Sequence, residues 1–201
     1  MGELTVTTFL TLDGVMQAPG GPTEDPSGGF AHGGWVAPYF DDDMGRIIDA
    51  NFANADAFLL GRITYDIFAS YWPHVTDRDE IVARSLISLP KFVASRTRTA
   101  FDWSGTSHIA DVAREVPALQ ERFPREVQVH GSGNLLQTLM ANDLIDEYRL
   151  FTFPVILGSG KRLFGDGTAP GALALVRSST SSTGVVYSIY RRAGLVRTGT
   201  F

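Results

Sequence analysis

The chain has 201 residues, of which 44% are hydrophobic and 19% are charged, and its 17 basic and 22 acidic side chains give a net charge of −5. This length and apolar content can fill the core of one α/β domain over residues 1–201, which excludes disorder as the dominant state. The chain contains no Cys, so disulfides, thiolate nucleophiles and zinc–thiolate sites are excluded. Its acidity argues against a nucleic-acid partner, and no apolar run suits a membrane span or a signal peptide. We therefore expect a cytoplasmic protein with no membrane partner.

The first predicted strand covers residues 3–8, where apolar and polar side chains alternate. Residues 11–40 follow, with seven Gly and four Pro in thirty residues. A connection of this length in a compact domain is usually a functional lid or a disordered segment, and its aromatic residues argue against plain disorder. We predict a partly ordered active-site loop.

The middle of the chain alternates predicted helices with predicted strands. Helices are expected from the acidic triplet 41–43 onward, from near Thr64, and over residues 79–88, with strands over residues 57–60, 91–95 and 101–104. The helix from Thr64 is predicted to turn four apolar side chains inward, namely Ile63, Ile67, Phe68 and Tyr71.

The alternation continues to the end of the chain. An amphipathic helix, which Pro117 bends or breaks early, is predicted by the spacing of Val112, Val116, Leu119 and Phe123. A strand over residues 127–129, a helix over 135–140, a strand over 145–153 and antiparallel strands over 173–181 and 185–192 follow. This order predicts an α/β fold with a central, mostly parallel mixed sheet, antiparallel C-terminal strands and helices on both faces.

Three predicted strand ends carry residues suited to phosphate, and ligands of open parallel sheets bind at the carboxyl ends of strands. They are Gly61-Arg62-Ile63-Thr64, Ser95-Arg96 and Gly131-Ser132-Gly133. Glycines beside a helix start let a pyrophosphate approach backbone N–H groups. Arg rather than an acidic residue at these ends favours a 2′-phosphate, and hence NADPH over NADH. Taken singly, each stretch is also explained as a turn or a solvated basic loop.

In combination and order, these stretches resemble the dihydrofolate reductase-like superfamily and, within it, the reductase domain of bacterial riboflavin biosynthesis in a stand-alone form. The resemblance spans about residues 3–192 and rests on Leu12-Asp13-Gly14, Leu59-Leu60-Gly61-Arg62, Thr64-Tyr65, Ser95-Arg96, Gly131-Ser132-Gly133 and residues 144–164. It implies a three-layer fold and an NADPH-dependent reductase that acts like 5-amino-6-(5-phosphoribosylamino)uracil reductase.

The same resemblance implies roles for individual residues. It places phosphate binding at Gly61, Arg62 and Thr64, adenosine 2′-phosphate binding at Ser95 and Arg96, and pyrophosphate binding at Gly131, Ser132 and Gly133. It also implies that the loop after Asp13 covers the nicotinamide.

Hydride transfer needs a proton source, and a carboxylate in a partly apolar pocket can supply it. The candidates are Asp13, which follows the first strand, and Asp42, because the resemblance places an acidic residue near the start of the helix that precedes the Gly-Arg motif. The alternatives are a turn before Gly14 and capping of that helix. The four His residues have no metal-ligand spacing, so no metal site is expected.

Three functions stay open at this point. The first is an NADPH-dependent reductase of a pterin-like, pyrimidine-like or other small carbonyl or imine substrate. The second is a non-catalytic NADP-binding module, and the third is a structural dimer whose glycines only turn the chain. A homodimer is the candidate assembly.

Overall fold

The computed structural model describes residues 1–77 and 80–200, within which eight strands form one sheet in the order β4-β3-β2-β5-β1-β6-β8-β7. Neighbouring strands are parallel except for the pairs β6–β8 and β8–β7, which are antiparallel. The strands are β1 Glu3–Thr11, β2 Ala55–Gly61, β3 Lys91–Ala94, β4 Thr106–Ile109, β5 Glu126–His130, β6 Glu147–Phe153, β7 Leu173–Thr180 and β8 Val186–Arg192.

Helices cover both faces of this sheet, and their bounds are α1 Asp42–Ala53, α2 Arg62–Tyr71, α3 Ile81–Ser88, α4 Val112–Arg122 and α5 Gly133–Ala141. Strand β2 shows why its sequence is continuously apolar. Its alternate side chains enter two different cores, Leu59 against α4 and α5 and Phe58 against α1, α2 and α3. The predicted three-layer α/β fold is therefore confirmed. Among the described helices, none is long and apolar enough to cross a bilayer.

The long segment between β1 and α1 packs onto the sheet through its aromatic side chains. Trp35 and Phe30 are buried, and two short 3₁₀ turns interrupt the segment at Ser27–Gly29 and Ala37–Tyr39. The Trp35 indole Nε1–H donates to the Gln17 carbonyl oxygen at 2.8 Å, and its ring meets Phe153 edge-on at 5.2 Å. The segment is thus fixed as a wall beside the end of β1, as its aromatic content indicates.

The strand predicted over residues 101–104 is wrong, because the strand after β3 is β4, further along the chain. Its alternating aromatics pack over Tyr65 instead of pairing in the sheet. The Phe101 ring meets Tyr65 at 4.9 Å, and the Trp103 N–H donates to the Tyr65 hydroxyl at 3.0 Å.

Two helix predictions also need correction. Helix α2 begins at Arg62, and its buried residue is Tyr65, whereas Ile63 and Tyr71 are exposed. The predicted inner face is wrong for Tyr71 and for Ile63, which borders a cavity, whereas Phe68 packs against the core as predicted. Helix α4 runs through Pro117 without ending. The predicted start of α3 at Asp79 lies outside the described residues.

Candidate active site

A cavity of about 690 Å³ opens where β1 and β5 end. Its walls come from the ends of these two strands, the segment between β1 and α1, one face each of α1 and α2, and the start of α5. Most of the lining is apolar, as in pockets that bind flat organic ligands. Its place at the carboxyl ends of parallel strands is the one that open α/β sheets use for ligands.

The predicted pyrophosphate segment forms the floor of this cavity. Gly131 and Ser132 have positive φ angles of 75° and 71°, and this tight turn lets α5 begin at Gly133. The first N–H groups of a helix have no intrahelical acceptor, so the start of α5 offers donors to an anion. A Cβ on Gly131 would meet no atom within 4 Å, so the space beside this glycine is open to a ligand.

Gly61 lies directly beside this turn. A Cβ at Gly61 would fall 1.6 Å from the Ser132 Oγ, so a side chain cannot be added there while Ser132 keeps its position. The structure therefore brings together Gly61 and the Gly131–Gly133 turn at the ends of neighbouring strands. Thr64, in the first turn of α2, lines the same cavity.

The predicted basic residues lie beside the cavity at the same sheet edge. Gly61 pairs with Ala94 across β2 and β3, so Arg62 and Ser95 leave the sheet side by side. The Arg62 guanidinium forms a 3.0 Å ion pair with Asp66. Arg96 is exposed and forms no ion pair with any residue that the structure describes. It is the cation of this edge that stays available to a phosphate.

Arg98, which follows these residues, has a structural task. Its guanidinium pairs with Asp66 at 2.8 Å and lies 4.9 Å from the Phe101 ring centre. The Ser95 hydroxyl accepts the Arg98 N–H at 2.9 Å and so closes the turn after β3. Asp66 thus holds two of the three arginines near this edge.

The contacts of Asp13 argue against its predicted role as a proton donor. Its carboxylate accepts the Thr11 hydroxyl at 2.6 Å and the N–H groups of Leu157 and Gly158 at 3.2 and 2.8 Å. These bonds, that of Thr11 foremost, lower the pKa of Asp13 from 3.8 to about 2, so the carboxyl is ionised at neutral pH. The side chain is also absent from the cavity lining. Asp13 anchors the segment after β6.

Asp42 is likewise placed away from the cavity. It is exposed in the first turn of α1, where Asp41 is the N-cap and accepts the Met44 N–H at 2.9 Å. The capping alternative therefore explains the acidic triplet, with the Asp41 carboxylate also accepting the Ser182 hydroxyl at 2.8 Å. Asp42 does not line the cavity, which argues against a catalytic role for it.

Other carboxylates line the cavity, and the sequence reasoning did not select them. Asp49 projects from α1, on the helix face that also carries Gly45 and Phe52. Glu80 lines the cavity at the N-cap of α3, and desolvation together with the negative charges of Asp77 and Asp49 raises its pKa. Glu24 accepts two N–H groups of its own loop, but burial still raises its pKa. The helical spacing of Asp49 with Phe52 was the available signal.

Lys161 joins the long segment to the chain after β6. Its Nζ contacts the Asp25 carboxylate at 2.6 Å, and its N–H donates to the Gln17 Oε1 at 3.0 Å. Gln17 in turn donates to the Asp25 and Ser27 carbonyl oxygens. Lys161 lines the cavity as half of an ion pair. In the described parts of the chain, no group of three or more His, Cys, Asp and Glu side chains could hold a metal ion.

The chain is similar to known proteins over nearly its whole length. Residues 3–187 match the family model of the RibD C-terminal domain. The uncharacterized protein YyaP of Bacillus subtilis (strain 168) is 30% identical over 188 residues, which cover 92% of each chain.

Two solved structures share the fold. A protein of Shewanella sp. PV-4 provisionally assigned to riboflavin biosynthesis superposes with a TM-score of 0.71 at 20% identity, over 94% of this chain and 98% of its own. A pyrimidine reductase-like protein of Corynebacterium diphtheriae superposes with a TM-score of 0.61 at 14% identity, over 98% and 93%. The resemblance to the riboflavin-biosynthesis reductase branch is confirmed, and the chain belongs to the RibD C-terminal domain family.

Proposed function

We propose that the protein is an NADPH-dependent reductase that transfers a hydride to a pterin-like, pyrimidine-like or other small carbonyl or imine substrate. The observation that carries the proposal is that a ligand cavity and a set of phosphate-binding groups lie together at the carboxyl ends of the strands. A mostly apolar cavity fit for a flat ring opens beside a glycine turn, a helix start and a free arginine, which suit the phosphates of a dinucleotide.

The residues present fit the cofactor on structural grounds. The open space beside Gly131 and the unpaired N–H groups at the start of α5 suit a pyrophosphate. Arg96 and the adjoining β3 end suit a 2′-phosphate, since guanidinium groups bind phosphate through charge-assisted bonds. When bound, NADPH would supply the hydride.

The chain's own residues would bind the substrate, exclude water and hold the proton. The walls of α1 and α2 present apolar side chains, with Phe52 and Ile67 among them. Asp49 and Glu80 both line this part of the cavity, and the pKa of Glu80 is raised above its ordinary value. We propose that this pair, rather than Asp13 or Asp42, supplies the proton.

Support for the reductase reading comes from the family and from the cavity, and the substrate is open between a riboflavin pyrimidine precursor and a pterin. NADPH consumption should therefore be followed spectrophotometrically with a panel that includes dihydrofolate and 5-amino-6-(5-phosphoribosylamino)uracil. Turnover with at least one planar imine or carbonyl compound is expected. Tight NADPH binding with no consumption across the panel would favour a non-catalytic binding module, and no NADPH binding would favour a structural role.

A further inference from the structure

His130 lies at the end of β5, where its ring is part of the cavity wall. One face of the ring stacks on Phe52, with ring centres 4.6 Å apart and planes inclined by 22°. The ring Nε2 lies 3.1 Å from the Gln128 Oε1. The imidazole is therefore held in one orientation by a stacking contact and a hydrogen bond.

The neighbouring groups also decide which ring nitrogen carries the proton. The Gln128 Nε2 donates to the Asn51 carbonyl oxygen at 2.7 Å and to the Glu126 carboxylate at 2.7 Å. Both amide hydrogens are thus used, and the Gln128 Oε1 is left to face His130. A carbonyl oxygen only accepts, so His130 Nε2 must donate, and in a neutral ring Nδ1 then keeps a lone pair.

A buried ion pair secures this arrangement. The Arg149 guanidinium holds the Glu126 carboxylate with bonds of 2.7 and 2.9 Å and also contacts Glu147 at 2.7 Å. Burial, with a contribution from the Arg149 charge, lowers the pKa of His130 to about 3, which keeps the ring neutral at neutral pH. The chain Arg149–Glu126–Gln128–His130 therefore presents Nδ1 as a fixed acceptor.

His130 Nδ1 forms no hydrogen bond with any residue in the described ranges. Thr7 lies beside His130 in the register of β1 and β5, and it also lines the cavity. The residue is 6% exposed, and its hydroxyl has no hydrogen-bond partner within residues 1–77 and 80–200. The Thr7 hydroxyl is a buried group, and buried polar groups normally have a partner. The His130 Nδ1, in contrast, is not fully buried and stays accessible at the cavity wall.

We propose that His130 is a specificity-determining residue whose Nδ1 accepts a hydrogen bond from an exocyclic amino group of a planar heterocycle. The proposal rests on the proposed function, because that heterocycle is taken to be the substrate of the reductase. A ligand with a carbonyl oxygen at this position would oppose two lone pairs, so the subsite distinguishes amino from oxo substituents.

Two probes of equal shape test the subsite without turnover. 2-Aminoquinazoline carries one amino group as its sole N–H donor, and 2-methylquinazoline replaces that group with a methyl. Equilibrium titration should show wild-type protein binding the amino probe roughly tenfold more tightly, the difference expected for one hydrogen bond. The preference should shrink to about twofold or less in His130→Phe, which keeps an aromatic ring at this position, and should persist in His130→Gln, which keeps an acceptor.

The readouts separate this subsite from the proposed function. A preference that survives in full in His130→Phe, or that wild-type protein lacks, would overturn the proposal. Because His130→Phe leaves Gln128 without its donor and could fail to fold, nitrogen-15 NMR of labelled histidines in wild-type protein provides a second test. It should show the Nε2–H tautomer for His130 and a shift of Nδ1 with the amino probe alone, whereas an Nδ1–H tautomer would contradict the proposal. Failure to bind NADPH would refute the proposed function but would not change either readout.

Discussion

Gly61→Ala should destabilise the protein only while residue 132 carries a side chain. The new Cβ would lie 1.6 Å from the Ser132 Oγ and 2.7 Å from the Ser132 Cβ. Rotation of the hydroxyl relieves the first contact but not the second, so the turn before α5 must move. The backbone of Gly61, at φ −74° and ψ 155°, suits any residue.

The expected magnitude follows from two opposing effects. Overpacking of this kind costs about 1–3 kcal/mol, and replacing Gly by Ala at a permissive position stabilises by about 0.4–1 kcal/mol through the unfolded chain. We expect a net loss of about 1–2 kcal/mol in the free energy of unfolding. In a Ser132→Gly background the nearest remaining neighbour is the Leu135 Cβ at 3.7 Å, an ordinary contact. The same substitution should there stabilise by about 0.4–1 kcal/mol.

Urea denaturation of the four proteins in this double-mutant cycle measures the effect directly, provided that the slopes of the transitions agree. The sign reversal is the diagnostic result. Equal destabilisation by Gly61→Ala in both backgrounds would refute the close approach of the glycine turn to the end of β2.

Three further predictions concern Asp13, Asp49 and the edge strand β7. Asp13→Asn should cost about 1–3 kcal/mol at pH 7, since the charged bonds to the segment after β6 weaken. The pKa of Asp13 in the folded protein is lowered to about 2, so its contribution to wild-type stability should be complete above about pH 4 and disappear as the pH falls toward 2. Denaturation curves measured across this range should show the difference between wild-type protein and Asp13→Asn shrinking, and a difference that does not change with pH would contradict the prediction. Asp49→Asn should lower kcat by about a hundredfold or more and leave the NADPH Kd unchanged, because it removes a proposed proton donor. The control Asp42→Asn, on the same helix, should change neither constant. Comparable losses of kcat in the two variants would refute the proposed role of Asp49. Leu175 on the edge strand β7 is 57% exposed, so we expect two copies of the protein to form a homodimer through this strand. Sedimentation should show a dimer for wild-type protein and a monomer for Leu175→Lys, and a wild-type monomer would exclude this interface.

The fold could be predicted from the sequence because its signals are local. The continuous apolar run of β2 and the glycine turn before α5 each indicate their structure within a few residues. The sequence also indicated the sheet edge at which Gly61, Arg62 and Arg96 lie, since the carboxyl ends of parallel strands share one edge.

The carboxylates were harder to predict because their roles depend on distant contacts. Asp13 binds backbone N–H groups of Leu157 and Gly158, over 140 residues away, and no spacing in the sequence reveals that pairing. Asp49 lies on the face of α1 that borders the cavity, and only the packing of α1 on the sheet shows which face that is. The role of His130 depends on Gln128, whose amide is oriented by contacts with two other elements.

The central claim is that this sheet edge binds the phosphates of NADPH, and parallel titrations of NADPH and NADH test it most directly. Wild-type protein should bind NADPH at least about tenfold more tightly, because one charge-assisted bond to the 2′-phosphate accounts for that ratio. Arg96→Ala should bring the two Kd values within about threefold of each other. Arg177→Ala removes the same charge from β7, the last strand on the far side of the sheet, and should leave the ratio of the Kd values unchanged. Equal Kd values for the two cofactors in wild-type protein, or equal effects of the two substitutions, would contradict the account.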